Sequence, residues 1–298
     1  MRRSALRMTT ALLAVLCTTG LRAEGQSGVA PGLAGILQRA GEKVEEYFTR
    51  AQSLICLEVV RLQPLASGLS PQGFGRTVES ELRLSWDPFA ITGDAPEAAT
   101  IREVLRVNGH TPRDNDYNAC TTPEQQVKET QPLSMLLPEQ RKEYEFRLDK
   151  PRKVDGQPAL VIAYKKTTKV TVRVSEVEGR DDCISFEIDG GQRGRIWLDP
   201  DTYEVLRLDE SLSGLVDIPL PEKTRRQPGT PIAWTMERMD TTIRFERVSF
   251  QDPHETIMLP VSSTQLRVTR GSGQPRLRTV TEYSRYKRFL TGARLVQQ

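Results

Sequence analysis

Histidine is scarce in this 298-residue chain: His110 and His254 are the only two. Two imidazoles exclude a metal site built from several histidines and a mechanism that uses a histidine pair. His254-Glu255-Thr256-Ile257-Met258 opens like the zinc-protease helix motif. Met258 stands where the second ligand must sit one turn on, so the match fails. The G-x-S-x-G elbow, the G-x-x-x-x-G-K phosphate loop and a complete G-x-G-x-x-G are absent too, and Gly73-Phe74-Gly75 lacks the third glycine. Hydrophobic residues make up 37% and aromatics 6%, with a mean hydropathy of -0.47. No stretch approaches the roughly 20 apolar residues of a spanning helix, so the sequence predicts a soluble body with at most peripheral membrane contact. With no catalytic signature, the expected task is binding, without enzyme activity, metal or cofactor.

An excess of either charge is also missing once the N-terminus is read. Arg2, Arg3 and Arg7 precede the apolar run Ala11 to Cys17 and small residues follow, the pattern of a cleaved secretory signal over residues 1–23. Cleavage after Gly20, Ala23 or Gly25 fits the small-residue rule. Cutting after Ala23 removes Arg2, Arg3, Arg7 and Arg22 and no acid, which takes 42 basic residues to 38 against 39 acids, a net charge of -1. The other two cuts leave a net charge of zero. The formal +3 of the whole chain belongs to the signal, and a nucleic-acid partner, held through clustered Lys and Arg, is excluded. A lipid on Cys17 would need a small residue before it, where Leu16 stands. The expected location is periplasmic or secreted.

Three cysteines remain: Cys56, Cys120 and Cys183. In an oxidising compartment they permit one internal bridge. Cys56 lies in the apolar stretch Leu54-Ile55-Cys56-Leu57 and reads as a small buried hydrophobe. Cys120 and Cys183, both in polar segments, are the candidate pair.

Leu33, Ile36, Leu37, Ala40, Val44, Tyr47, Ala51 and Leu54 recur every three or four residues, which predicts an amphipathic helix over 33–54. The period then changes to two. Alternation at 78–86, 101–107, 144–148, 160–164, 170–174, 184–188, 195–198, 205–208, 243–250, 257–268 and 277–289 predicts half-buried strands. Many strands without intervening helices mean an antiparallel meander. The fold class is therefore mainly β with one major helix (α+β): a single domain over 24–298, in which a curved antiparallel sheet receives the N-terminal helix on its concave face. Long loops are expected at 62–75, 108–138 and 214–240.

Asp199-Pro200-Asp201-Thr202 carries oxygens that calcium could use, but between two strands it reads as a hairpin turn. Lys165-Lys166, Arg225-Arg226 and Lys287-Arg288 read as solvated surface, with anionic headgroups as the sharper alternative. Alternation puts Tyr286 on the strand face opposite Tyr283 and Phe289. A ligand cavity would be lined by Ile36, Leu37, Val44 and Tyr47 from the helix and by Leu82, Leu84, Leu105 and Ile162 from the strands. A filled core at these positions gives the same periodicity.

The segment Gly194-Arg195-Ile196-Trp197-Leu198-Asp199-Pro200-Asp201-Thr202-Tyr203-Glu204-Val205-Leu206-Arg207-Leu208 resembles the strand, Asp-Pro turn and strand of LolA/LolB-type periplasmic proteins, the carrier and acceptor of outer-membrane lipoproteins. The exported N-terminus, the helix before a meander and the late strand ending Tyr283-Ser284-Arg285-Tyr286-Lys287-Arg288-Phe289 are similar as well. The resemblance implies an open half-barrel whose apolar concave face is covered by helices and can hold acyl chains. It implies a lipid or lipoprotein partner. The alternative is an interaction or scaffold protein of an envelope assembly that uses sheet edges and long loops.

Overall fold

The computed structural model describes residues 32–51, 53–86, 97–116, 127–130, 132–177, 180–226, 228–273 and 276–288. The expected signal and Cys120 lie outside them, as does the side chain of Cys183, so the proposed bridge does too. Helix α1 (Leu33–Arg50) is followed by β1 (Ser53–Leu65), β2 (Arg76–Trp86), β3 (Glu97–Val107) and β4 (Val127–Thr130). A 3-10 turn at Pro132–Leu136 leads to β5 (Tyr144–Leu148), β6 (Arg152–Val154), β7 (Gln157–Lys166), β8 (Thr171–Val177), β9 (Arg180–Asp189), β10 (Gln192–Leu198) and β11 (Val205–Leu212). Then come β12 (Val216–Pro219), the one-turn α2 (Glu222–Arg225), β13 (Ala233–Phe250), β14 (Glu255–Arg270) and β15 (Arg276–Arg288).

The main sheet runs β4-β3-β2-β1-β15-β14-β13-β11-β10-β7-β5, with β12 beside β13 and β6 beside β7, while β8 and β9 form a separate hairpin. Every pairing is antiparallel, and β4 and β5 end the order without meeting. The expected α+β class, one major helix on an open antiparallel sheet, is what the chain adopts.

The core explains why α1 forms. Its buried residues Ile36, Leu37, Ala40, Val44, Tyr47 and Phe48 make a single stripe. That stripe packs with Ile162, Ile196, Leu198, Leu208, Phe245 and Leu259 of the sheet. Each large side chain buried this way contributes roughly 1.5–3 kcal/mol. The helix ends at Arg50, four residues short of the sequence expectation, because Leu54 already belongs to β1 and pairs with Leu84 and Arg288. Leu54 points into the same core from the sheet side, which is why it fell in step with the helical stripe.

Leu133, Met135, Leu136 and Leu137, inside the expected 108–138 loop, are buried against α1 as a second cover. Gly41 permits that approach, since a Cβ there would stand 2.8 Å from the carbonyl oxygen of Leu136. The expected 214–240 loop holds β12, α2 and the first turns of β13. A register shift between Met236 and Arg238 breaks the alternation that would have marked the strand. The 62–75 loop begins later than expected, because β1 continues to Leu65.

Candidate functional site

The structure gathers most of the predicted lining in one place. Ile36, Leu37, Val44 and Tyr47 of α1 and Ile162 of β7 share the main core, and Leu84 packs partly buried against it. Leu82 is buried outside that cluster, directly opposite Cys56. Leu105 is the exception: it is 43% exposed. The β2 to β3 register jumps from Glu79 with Arg106 to Ser80 with Val104, which leaves Leu105 as the extra, outward residue of a bulge.

A second bulge corrects the parity of the last strand. Ile55 pairs with Lys287 but Leu57 with Ser284, and Arg285 takes φ 55°. The inserted residue brings Tyr286 onto the face of Tyr283, beside Leu54, Cys56 and Glu58. Burial, with Glu58 nearby, pushes the Cys56 thiol up to about 12, so it stays protonated and packs as a hydrophobe.

Little room is left beneath α1. The void bordered by Val44, Tyr47, Leu133, Val205, Phe245 and Ile257 holds about 30 Å³, a water or two. At the rim, Arg39 donates to Tyr203 Oη (3.1 Å) and lies over its ring. Arg50 donates to Glu255 Oε2 (3.1 Å) and to the Thr256 carbonyl (2.8 Å), and Arg288 donates to the Arg50 carbonyl (2.6 Å). That last contact places a cation on the open carbonyls of the helix C-terminus.

Further along the same face, Phe146, Tyr164, Gly194, Glu210 and Thr241 form one register row. Tyr164 Oη donates to Glu210 Oε2 (3.0 Å). A Cβ on Gly194 would collide with the Asp209 carbonyl oxygen and stand 2.8 Å from Tyr164 Oη, so the glycine is what lets the tyrosine lie across β10. Lys166 bridges Asp189 (2.5 Å) and Glu143 (3.3 Å), with its ammonium 5.7 Å from the centre of the Tyr144 ring. This knot separates the core under α1 from a second cluster, where Leu212, Ile218 and Met236 pack with Val172 and Phe186 of the β8–β9 hairpin.

Burial holds the Glu210 carboxyl above the usual carboxylate range, against the Tyr164 hydrogen bond and the charge of Lys166. Between the ordinary value and the raised one, the native state keeps a proton that the unfolded chain has released. Stability therefore falls as pH rises through that window, and the cost is complete above it. Glu210→Gln keeps an acceptor for Tyr164. It is expected to melt higher than the natural chain at pH 8 and to lose that advantage at pH 4, measured by thermal unfolding at both values.

A trough of about 1010 Å³ runs over β5, β7, β10, β11 and β13, where the exposed residues of its lining belong to the opposite face and the row from Phe146 to Thr241 borders it as well. Arg147, Ala163, Arg195, Asp209 and Thr242 make one row of its lining, and Glu145, Lys165, Arg193 and Ser211 make the next. Charge patterning on the wet face gives no sign of this hollow in the sequence, because depth comes from which small residues become neighbours.

The Asp-Pro segment is the turn it resembled. Asp199 Oδ1 accepts from the N–H groups of Asp201 (2.9 Å) and Thr202 (3.0 Å), and Arg247 pairs with Glu204 (2.6 Å) and Asp199 (3.4 Å). Among the described residues no group of three or more metal-type ligands occurs, and no helix is long and apolar enough to cross a membrane.

No family model matches the chain, and no curated protein matches it. Solved structures similar to it include a domain described as that of an outer membrane lipoprotein-sorting protein from Vibrio parahaemolyticus, 14% identical, covering 86% of this chain and 94% of that one with a TM-score of 0.42. A LolA superfamily protein from Nitrosomonas europaea is 11% identical over 85% of this chain and 94% of its own, with a TM-score of 0.35. A DUF1329 family protein from Desulfovibrio piger is 10% identical over 87% and 94%, with a TM-score of 0.42.

Proposed function

We propose that the chain is an exported, non-catalytic envelope protein that takes up a lipid or a lipidated partner between α1 and the sheet. The observation that carries this reading is the make-up of the interior: an apolar sheet face closed by one amphipathic helix and one short turn. A ligand pocket of ordinary size holds about 300–1,000 Å³. The roughly 30 Å³ present describes the closed state, and uptake requires α1 to lift. The Arg50–Glu255 ion pair at the rim is partly exposed, and such a pair contributes about 0–1 kcal/mol. The apolar contacts that remain are of a kind an acyl chain replaces, at about 0.8 kcal/mol per buried methylene. The resemblance of Gly194 to Leu208 to LolA/LolB-type proteins supports the same ligand class.

Native mass spectrometry of protein purified from its own compartment is expected to show a co-purifying lipid, and a fluorescent fatty acid should be taken up. Arg39→Ala frees one end of the cover from Tyr203 and should speed uptake several-fold. Absence of both lipid and uptake, in the natural chain and in the variant, would overturn the reading.

A further inference from the structure

The trough on the face away from α1 stands apart from the lipid reading. We infer that it is a docking groove for an acidic, extended segment of a partner protein. Ala163, Ser211 and Thr242 are the small residues of its lining, and the exposed Arg147, Lys165, Arg193 and Arg195 stand among them on three neighbouring strands. Lys165 and Arg193 are directly paired across β7 and β10. Like charges placed opposite one another destabilise an antiparallel pair.

Arg193 has Lys165 on one side and Ser211 on the other, so neither neighbouring strand sets an acid opposite it. Among the described residues, Arg147, Lys165 and Arg193 make no ion pair, and Arg195 reaches only Asp149, at 3.3 Å. The acids that could answer them are engaged elsewhere. Asp209 is held by Arg207 (2.9 Å) and Thr242 (2.7 Å), and Asp240 by Arg238. Glu210, the fourth acid of the lining, accepts from Tyr164 on the other face (3.0 Å), and Glu145 stands directly opposite Lys165. The excess is therefore positive and local, although the chain after its expected signal is near neutral.

Size and form choose among anionic occupants. Neighbouring strands lie about 4.8 Å apart, so a lining spanning five strands is about 20 Å across, a length suited to a short extended peptide. A single small anion would leave most of the roughly 1010 Å³ empty. The trough also ends on β5, the last strand of the sheet order, so a segment can enter from that side.

The test uses the full chain and a fluorescein-labelled ten-residue peptide of alternating Glu and Thr, followed by fluorescence anisotropy. Binding is expected at 50 mM salt and should weaken at least tenfold at 300 mM. Lys165→Glu and Arg193→Glu, made separately, should each weaken it tenfold or more. Arg193→Glu also replaces the like-charge pair with Lys165 by an opposite one and meets only Ser211 on its other side, so that variant should melt no lower than the natural chain. Arg225→Glu, on α2 and outside the trough, should bind the peptide normally. Fatty-acid uptake should be unchanged in all three, which separates this inference from the lipid reading. No peptide binding by the natural chain would overturn it. Equal binding by the Lys165 and Arg193 variants would overturn it as well. So would sedimentation with phosphatidylglycerol vesicles that the same substitutions abolish, if the peptide itself did not bind.

Discussion

Arg102→Ala is expected to cost about 3–5 kcal/mol of folding stability, the usual consequence of leaving a buried charge without its partner. Glu58 of β1 is 2% exposed, and its carboxylate accepts from Arg102 Nε at 2.8 Å and Nη2 at 3.3 Å. Arg102 lies on β3, so its guanidinium reaches across β2, where Ser80 is the residue opposite Glu58. Serine at that position leaves room for the crossing. The two partners are not equivalent. The Arg102 side chain keeps 24% of its surface in water and that of Glu58 keeps 3%. Truncating Glu58 should therefore cost less than truncating Arg102. Urea unfolding with an unchanged slope and a lowered midpoint would register the loss. A loss under about 1 kcal/mol, the range of exposed pairs, would mean that water reaches Glu58.

Phe48→Ala should cost about 3–5 kcal/mol, the range for removing a buried ring. Phe48 is 1% exposed, with the Tyr47 ring edge-on at 5.2 Å between centroids. It lies near the end of α1 where Arg50 and Arg288 tie the helix to the sheet. Those polar ties hold position, so the surroundings cannot collapse fully onto the gap, and a cavity term adds to the lost transfer energy. Urea unfolding of the variant gives the value directly. A cost below about 1.5 kcal/mol would show that α1 settles onto the sheet without its ring and is not held in one packed arrangement.

Period alone made the main elements of this fold legible. The change from 3.6 to 2 after the helix separates α1 from the meander, and Tyr144–Leu148 lies where alternation put it. What could not be read follows from two physical causes. Bulges add a residue to one strand only, so parity counted along a single strand misplaces every side chain beyond them. Leu105 and Tyr286 were misplaced in this way. Short strands gave no pattern at all: β12 has four residues, too few for a period to stand out from the prolines around it. Of the candidate site, the helix stripe and Ile162 were legible because one element or one strand face carries them. The trough was not, because Arg147, Lys165 and Arg193 come from three strands whose adjacency is a tertiary fact.

The pairing of β1 with β15 also bears on when the core can close as the chain folds. Leu54 is bonded across the sheet to Arg288, so the first strand has its neighbour on one side only when the last has arrived. Until then the sheet is two unconnected halves, and loop closure over most of the chain opposes joining them. A chain wired in this way can form its local hairpins early, but it completes its core only when β15 joins β1 to β14.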